Sequence, residues 1–162
     1  MLKGKINVTW KKKDFKNLKF KKKKYSTNYN GNLEKKYMKK FNNFEVFLCN
    51  KVGKKLIKIA EKFRLKKTVV AVNKMIPGQV LPFHSDKYKV YMKRNNIKNS
   101  KKIIRIIVFL ENSLPGQQLW IKDKLCYAKA GSYFGWKNQV NHMAANLSEK
   151  DRYVLQITGL KA

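Results

Sequence analysis

Ile103-Ile104-Arg105-Ile106-Ile107-Val108-Phe109-Leu110 is an eight-residue apolar run broken only by one arginine. So short a β-branched run reads as a strand buried on both faces, because a buried helix needs a longer segment. Downstream, Pro115-Gly116 marks a turn. It is followed by Gln118-Leu119-Trp120-Ile121, Leu125-Cys126-Tyr127-Ala128, Ser132-Tyr133-Phe134-Gly135-Trp136 and Tyr153-Val154-Leu155-Gln156-Ile157-Thr158. Upstream, Thr68-Val69-Val70-Ala71-Val72 and Gln79-Val80-Leu81-Pro82-Phe83 flank Pro77-Gly78, and Val90-Tyr91-Met92 continues the strand pattern. Short strands at close spacing with Gly and Pro turns predict an antiparallel sandwich or barrel, and a jelly roll of about eight strands fits. Lys93 to Lys102 reads as a polar loop.

Before this region, two amphipathic helices are expected. One spans about Leu33 to Leu48 with Tyr37, Phe41, Phe44 and Leu48 on one face; the other spans about Val52 to Phe63 with Leu56, Ile59, Ala60 and Phe63. The expectation is one mainly β domain, a double-stranded β-helix of the jelly-roll, cupin-like kind with two flanking N-terminal helices. A lysine-rich segment, residues 1–40, precedes the domain proper, residues 41–162. Trp10, Phe15, Phe20, Tyr25 and Tyr29 recur through that segment, whereas a disordered arm is poor in aromatics, so it is expected to pack on the domain.

Lys and Arg total 39 of 162 residues against 9 Asp and Glu, a formal charge of +30. Such a field attracts polyanions. Only Arg64, Arg94, Arg105 and Arg152 are arginines, and Lys, Asn, Ile, Tyr and Phe are abundant, a pattern that translation of an AT-rich genome also produces. Polyanion binding through the lysine-rich surface, with aromatics interleaved as in single-strand binders, stands as the competing explanation. Cys49 and Cys126 are far apart and form neither a CxxC nor a disulfide framework. No apolar run approaches a membrane span, and the N-terminus has no apolar leader core. The chain is expected in the cytoplasm, that of a host cell if the genome is viral, with no membrane partner.

The chain has two histidines. His84 belongs to His84-Ser85-Asp86 and the other is His142. On an extended strand, residues two apart share a face, so His84 and Asp86 could grip one ion. With His142 they make two imidazoles and a carboxylate, the facial set that holds non-haem Fe(II) and leaves positions open for a cosubstrate and O2. Arg152 follows His142 by ten residues and opens the last strand. Its planar fork suits the distal carboxylate of a dicarboxylate cosubstrate, the alternative being a surface pair with Asp151 or Glu149. Tyr88, Tyr91 and Trp136 are candidates to line the pocket. Arg105, inside an apolar run, must be paired or face a cavity; its candidate partners are the cosubstrate, a substrate carboxylate, Glu111 and Asp123.

The stretch from Thr68 to Gly159 resembles the Fe(II)/2-oxoglutarate-dependent oxygenases, particularly the small prolyl-hydroxylase-like and phage-type members. The resemblance rests on Pro77-Gly78, His84-Ser85-Asp86, Arg105 to Leu110, Pro115-Gly116, Ala130-Gly131-Ser132-Tyr133-Phe134, Asn141-His142 and Arg152-Tyr153. It implies Fe(II) held by His84, Asp86 and His142, 2-oxoglutarate clamped by Arg152, and O2 as oxidant. It further implies hydroxylation of a peptidyl or free amino-acid side chain, in a peptide, protein or amino-acid substrate, with release of succinate and CO2. Met75 stands where prolyl hydroxylases often carry a tyrosine, Val154 replaces a serine, and Thr158 occupies the place of the nucleic-acid demethylases' second arginine. The second anchor of 2-oxoglutarate is thereby left unassigned. The alternatives are an oxygenase acting on nucleic acid, a basic β-barrel module binding nucleic acid, and a cupin-like metalloprotein, the last usually needing more than two histidine ligands.

Overall fold

Along the last strand, Arg152 to Leu160, alternate side chains enter two different compartments, and that division organises the molecule. The computed structural model describes residues 1–24, 45–137 and 139–161. In chain order the elements are β1 (Leu2–Lys5), α1 (Lys13–Lys16), β2 (Lys21–Lys24), β3 (Glu45–Cys49), α2 (Lys54–Glu61), β4 (Lys66–Met75) and β5 (Gln79–His84). There follow α3 (Lys89–Asn95), a 3-10 turn at Ser100–Lys102, β6 (Ile103–Phe109), β7 (Gln117–Ile121), β8 (Lys124–Leu125), β9 (Ser132–Lys137), β10 (His142–Asn146) and β11 (Arg152–Leu160).

The strands form a seven-stranded sheet in the order β1-β9-β6-β11-β4-β3-β2 and a four-stranded sheet in the order β5-β10-β7-β8, and the described pairs are antiparallel. This is the expected double-stranded β-helix. β6, the apolar run that suggested it, lies inside the large sheet between β9 and β11.

Period-two alternation explains the layering. On one face of the large sheet Val72, Ile106, Val108, Tyr153, Leu155 and Ile157 meet Trp10 and Phe15 of the N-terminal segment and Leu56, Ile59 and Ala60 of α2. Trp10 also donates its Nε1–H to the Leu110 carbonyl at 2.9 Å. On the other face Ile107, Phe109 and Val154 pack against Leu119 and Ile121 of the small sheet, while Val46 and Met75 meet Leu81. Two Pro-Gly turns shape the chain around these layers. Pro77-Gly78 joins β4 to β5 with Gly78 at φ 81°, and Pro115-Gly116 precedes β7 with Gly116 at φ 84°. Each is closed by an i to i+3 hydrogen bond, Gln79 to Ile76 and Gln117 to Leu114, and Gly at a positive φ after Pro is what a type II turn requires.

Three local expectations are corrected. The helix expected over Leu33 to Leu48 lies outside the described residues up to Phe44, but Glu45–Cys49 is strand, because Val46 and Leu48 fill the inter-sheet face beside β4. Apolar spacing alone does not separate a short strand from a helix end. Val90-Tyr91-Met92 is not a strand; it lies in α3, and Met92 N–H donates to the Tyr88 carbonyl. Part of the expected loop from Lys93 to Lys102 is accordingly helical, at Lys93–Asn95 and Ser100–Lys102.

Candidate metal centre

Strand register brings the two histidines together. β5 and β10 are antiparallel neighbours, and His84, the last residue of β5, stands directly opposite His142, the first of β10. Their rings lie 4.3 Å apart between centroids. The pairing also contains an irregularity: Leu81 faces Ala144 and His84 faces His142, so three steps on β5 match two on β10. One extra residue is a β-bulge, and it reverses the parity of everything after it. Leu81 and His84, an odd number of residues apart, therefore both line the interior, while Phe83 is turned out and is 42% exposed.

Asp86 reaches the same point differently from the sequence expectation. It follows β5 in the non-strand stretch 85–88, so it is loop geometry and not the two-residue repeat of a strand that places it beside His84. Its Oδ1 lies 4.0 Å from His84 Nε2 and its Oδ2 3.7 Å from His142 Nε2. One ligand atom from each of the three residues lies within 4.8 Å of the other two. In each histidine Nδ1 lies against a backbone carbonyl two residues earlier, Pro82 for His84 at 2.8 Å and Val140 for His142 at 2.9 Å. A carbonyl only accepts, so in these bonds Nδ1–H donates and each ring turns its Nε2 towards Asp86. That is the tautomer a metal needs, fixed by a second bond behind the ligand.

Electrostatics lowers the titration of two of the three donors, Asp86 and His142. Desolvation works to raise the Asp86 carboxyl, but the Arg105 guanidinium beside it is the largest opposing influence, and the carboxyl is held down at about 2. Burial lowers the His142 imidazole to about 4, against the pull of Asp86. The donor set thus fits a divalent ion: two imidazoles, each oriented through Nδ1, and one carboxylate.

The other candidate residues sort clearly. Arg105 pairs with Asp86, Nη2 to Oδ2 at 3.0 Å, and not with Glu111, which Lys16 holds at 3.0 Å, nor with Asp123. In register, Arg105 is the cross-strand neighbour of Thr158, so a guanidinium does enter next to that position, but from β6. Tyr88 supports the same pair from behind. Its ring lies 5.1 Å from the Arg105 guanidinium, its hydroxyl accepts from Arg105 Nε at 3.5 Å, and burial raises its pKa. Tyr88 sits at φ 50°, a conformation uncommon for a bulky residue, of the strained kind that collects at functional sites. Trp136 lines the cavity, its ring 4.7 Å from that of His142, and its buried Nε1–H has no partner among the described residues. Tyr91 is not brought in; its hydroxyl donates to the Lys67 carbonyl at 2.9 Å.

Arg152 is 4% exposed and borders the same cavity, which has a volume of about 90 Å3. The surface pair with Asp151 or Glu149 is not formed, for Asp151 pairs with Lys74 at 2.8 Å. Nη1 of Arg152 donates to Met75 Sδ at 3.7 Å, and the guanidinium lies 5.5 Å from the Phe109 ring centroid. Nε and Nη2 are buried with no hydrogen-bond partner among the described residues. Burial lowers this guanidinium to about 10. Nε and Nη2 are the two donors of the side-on fork that grips a carboxylate. Sequence reading missed further lining residues, among them Lys23, Asn73 and Gln156. Lys23 carried no signal inside a lysine run, whereas Asn73 and Gln156 are polar residues at inward positions of apolar strands, a pattern open to reading.

No family model matches the chain, and no curated protein matches it. Solved structures do. A protein of Thermotoga maritima described as a predicted oxalate decarboxylase is 14% identical with a TM-score of 0.52, covering 90% of this chain and 95% of that one. A cupin protein of Bacteroides fragilis is 15% identical with a TM-score of 0.43, covering 64% and 75%. An uncharacterized conserved protein of Klebsiella pneumoniae with a double-stranded β-helix domain is 15% identical with a TM-score of 0.41, covering 57% and 67%. At such identities the likeness concerns the fold, and the first of the three carries it.

Proposed function

We propose that the chain is an Fe(II)- and 2-oxoglutarate-dependent dioxygenase that hydroxylates a peptidyl or free amino-acid side chain. The observation that supports this most is the buried fork of Arg152, unpaired among the described residues, on the wall of the cavity that holds His84, Asp86 and His142. A buried guanidinium without a partner is costly to keep, and a carboxylate is the ligand that would satisfy it. The cavity pairs a candidate metal centre with a carboxylate clamp, which is what a 2-oxo dicarboxylate needs at its two ends.

His84, Asp86 and His142 would hold the metal, which when bound supplies the activation of O2 that couples oxidative decarboxylation of 2-oxoglutarate to hydroxylation. The balance is one oxygen atom into a substrate C–H bond, giving an alcohol, and the other into succinate, with CO2 released. The chain's own part is positional. Arg152 fixes the distal carboxylate, Arg105, backed by Tyr88, holds Asp86, and the carbonyls of Pro82 and Val140 orient the imidazoles. Leu81, Ile107, Leu119 and Ala144 supply apolar wall to the same cavity. The test is calorimetry with Mn(II) in place of iron, together with succinate production. We expect 2-oxoglutarate to bind only with metal present, and succinate to form slowly without substrate. Absence of metal-dependent 2-oxoglutarate binding sinks the proposal.

A further inference from the structure

The chain has three tryptophans, and two of them set Nε1–H on an acceptor: Trp10 on the Leu110 carbonyl at 2.9 Å, and Trp120 on the Gln118 side-chain oxygen at 3.2 Å. Trp136 does not. Its Nε1 is buried with no hydrogen-bond partner among the described residues. Packing explains the ring, which lies 4.7 Å from that of His142 and clusters with Ile107, Leu119 and Ile121. It leaves the N–H unexplained, since phenylalanine would fill such a place without burying an unsatisfied donor. The orphaned indole is also not scattered at random. Among the described residues, the buried side-chain N and O atoms without a partner belong to Asn73, Trp136 and Arg152, and all three residues line the cavity of His84, Asp86 and His142. Such atoms are few in native proteins, so their gathering at one cavity calls for a ligand there.

The orphaned donors divide between two ends of that cavity. Arg152 opens β11, opposite Met75. Trp136 stands opposite Arg105 of β6, and Arg105 in turn stands opposite Thr158, near the other end of β11. The Arg152 fork therefore belongs to the end away from the candidate metal ligands, and the Trp136 indole to the end beside His142. A molecule that satisfies both carries an acceptor at each of its ends. Asn73 Oδ1 is itself an acceptor and takes no part in gripping a carboxylate. Trp136 also borders a separate groove with Phe63, Leu65 and Ile104, and an N–H serving that groove would be indifferent to a ligand in the metal cavity.

Resting on the dioxygenase reading, we infer that Trp136 is the second anchor of 2-oxoglutarate, its Nε1–H donating to the carboxylate at the metal end while Arg152 holds the distal one. A bond from a buried N–H to a carboxylate is of the strong, charge-assisted kind. The first test is proton NMR of the indole N–H signals in the whole chain loaded with Zn(II), a diamagnetic ion that takes His and Asp ligands. The Trp136 signal is assigned by its loss in Trp136→Phe or, should that variant not fold, by elimination with Trp10→Phe and Trp120→Phe. On addition of 2-oxoglutarate it should move downfield and exchange more slowly, with the signals of Trp10 and Trp120 in place. Saturating 2-oxobutyrate, which keeps the 2-oxo carboxylate and lacks the distal one, should do the same. The second test is calorimetry with Mn(II): Trp136→Phe should weaken 2-oxoglutarate about tenfold or more, the loss falling on the cosubstrate and not on the metal. A Trp136 signal indifferent to bound 2-oxoglutarate, a response to 2-oxoglutarate alone, or equal affinity in Trp136→Phe overturns the inference and leaves the reading beneath it standing. If the wild-type protein with metal binds no 2-oxoglutarate, both fall.

Discussion

Arg152 of β11 stands directly opposite Met75 of β4, and the thioether sulfur, 3.7 Å from Nη1, is its hydrogen-bond partner among the described residues. A cation set against sulfur and the Phe109 ring, with Nε and Nη2 unpaired among the described residues, is a cost to the fold. Arg152→Met should therefore raise the stability of the metal-free protein, by about 1–4 kcal/mol on the precedent of buried ion groups replaced by apolar ones. The same variant should lose 2-oxoglutarate binding. Urea midpoints and calorimetry read the two effects, and a fall in stability would show that the guanidinium is structurally satisfied.

Two of the candidate ligands, His84 and Asp86, should separate by their effect on folding. His84→Ala removes a partly exposed ring at the end of β5, so it should abolish metal binding at smaller cost in stability than loss of Asp86. Asp86→Ala removes the partner of Arg105 as well, and truncating one side of a largely buried pair costs about 3 kcal/mol. Mn(II) titration should fail in both variants, and the urea midpoint should fall mainly in the second.

In the metal-free protein His142 ties stability to pH. Its folded value of about 4 lies below the ordinary 6.5, so below 6.5 the unfolded chain takes up the proton first. The stabilisation is complete above pH 6.5 and is lost as pH falls towards 4, a change of about 3 kcal/mol at 1.36 kcal/mol per unit. Urea midpoints measured between pH 4 and 7 should slope upward with pH. His142→Gln should flatten that slope.

The lysine-rich N-terminal segment carries core weight. Phe15 is 1% exposed and its ring packs 5.2 Å from that of Tyr153. Phe15→Ala should cost about 3–5 kcal/mol, as for other buried aromatics. Thermal melts give the measure; an unchanged melting temperature would mean that the segment is only laid on the surface.

The architecture was legible because β6 and its neighbours carry β-branched runs punctuated by Pro-Gly, and period and turn chemistry agree there. His84, Asp86, His142 and Arg152 were legible by residue type and spacing, and the structure brings the four to one cavity. What escaped the sequence was non-local. Val46 and Leu48 are strand because β4 offers them an edge, and Val90-Tyr91-Met92 is helix because the chain turns sharply at Tyr88. The partner of Arg105 is 19 positions away along a path that only the bulge and the loop after His84 define, so the sequence offered Glu111 and Asp123 as candidate partners and not Asp86.

The bulge before His84 has a consequence for how the site tolerates genetic change. Between Leu81 and His84 the chain carries one residue more than its partner strand, and that surplus alone turns the imidazole inward. Loss of a single codon at Pro82 or Phe83 would leave every candidate ligand in the sequence, yet should rotate His84 to the outside. At these positions the direction of His84 depends on chain length more than on side-chain identity.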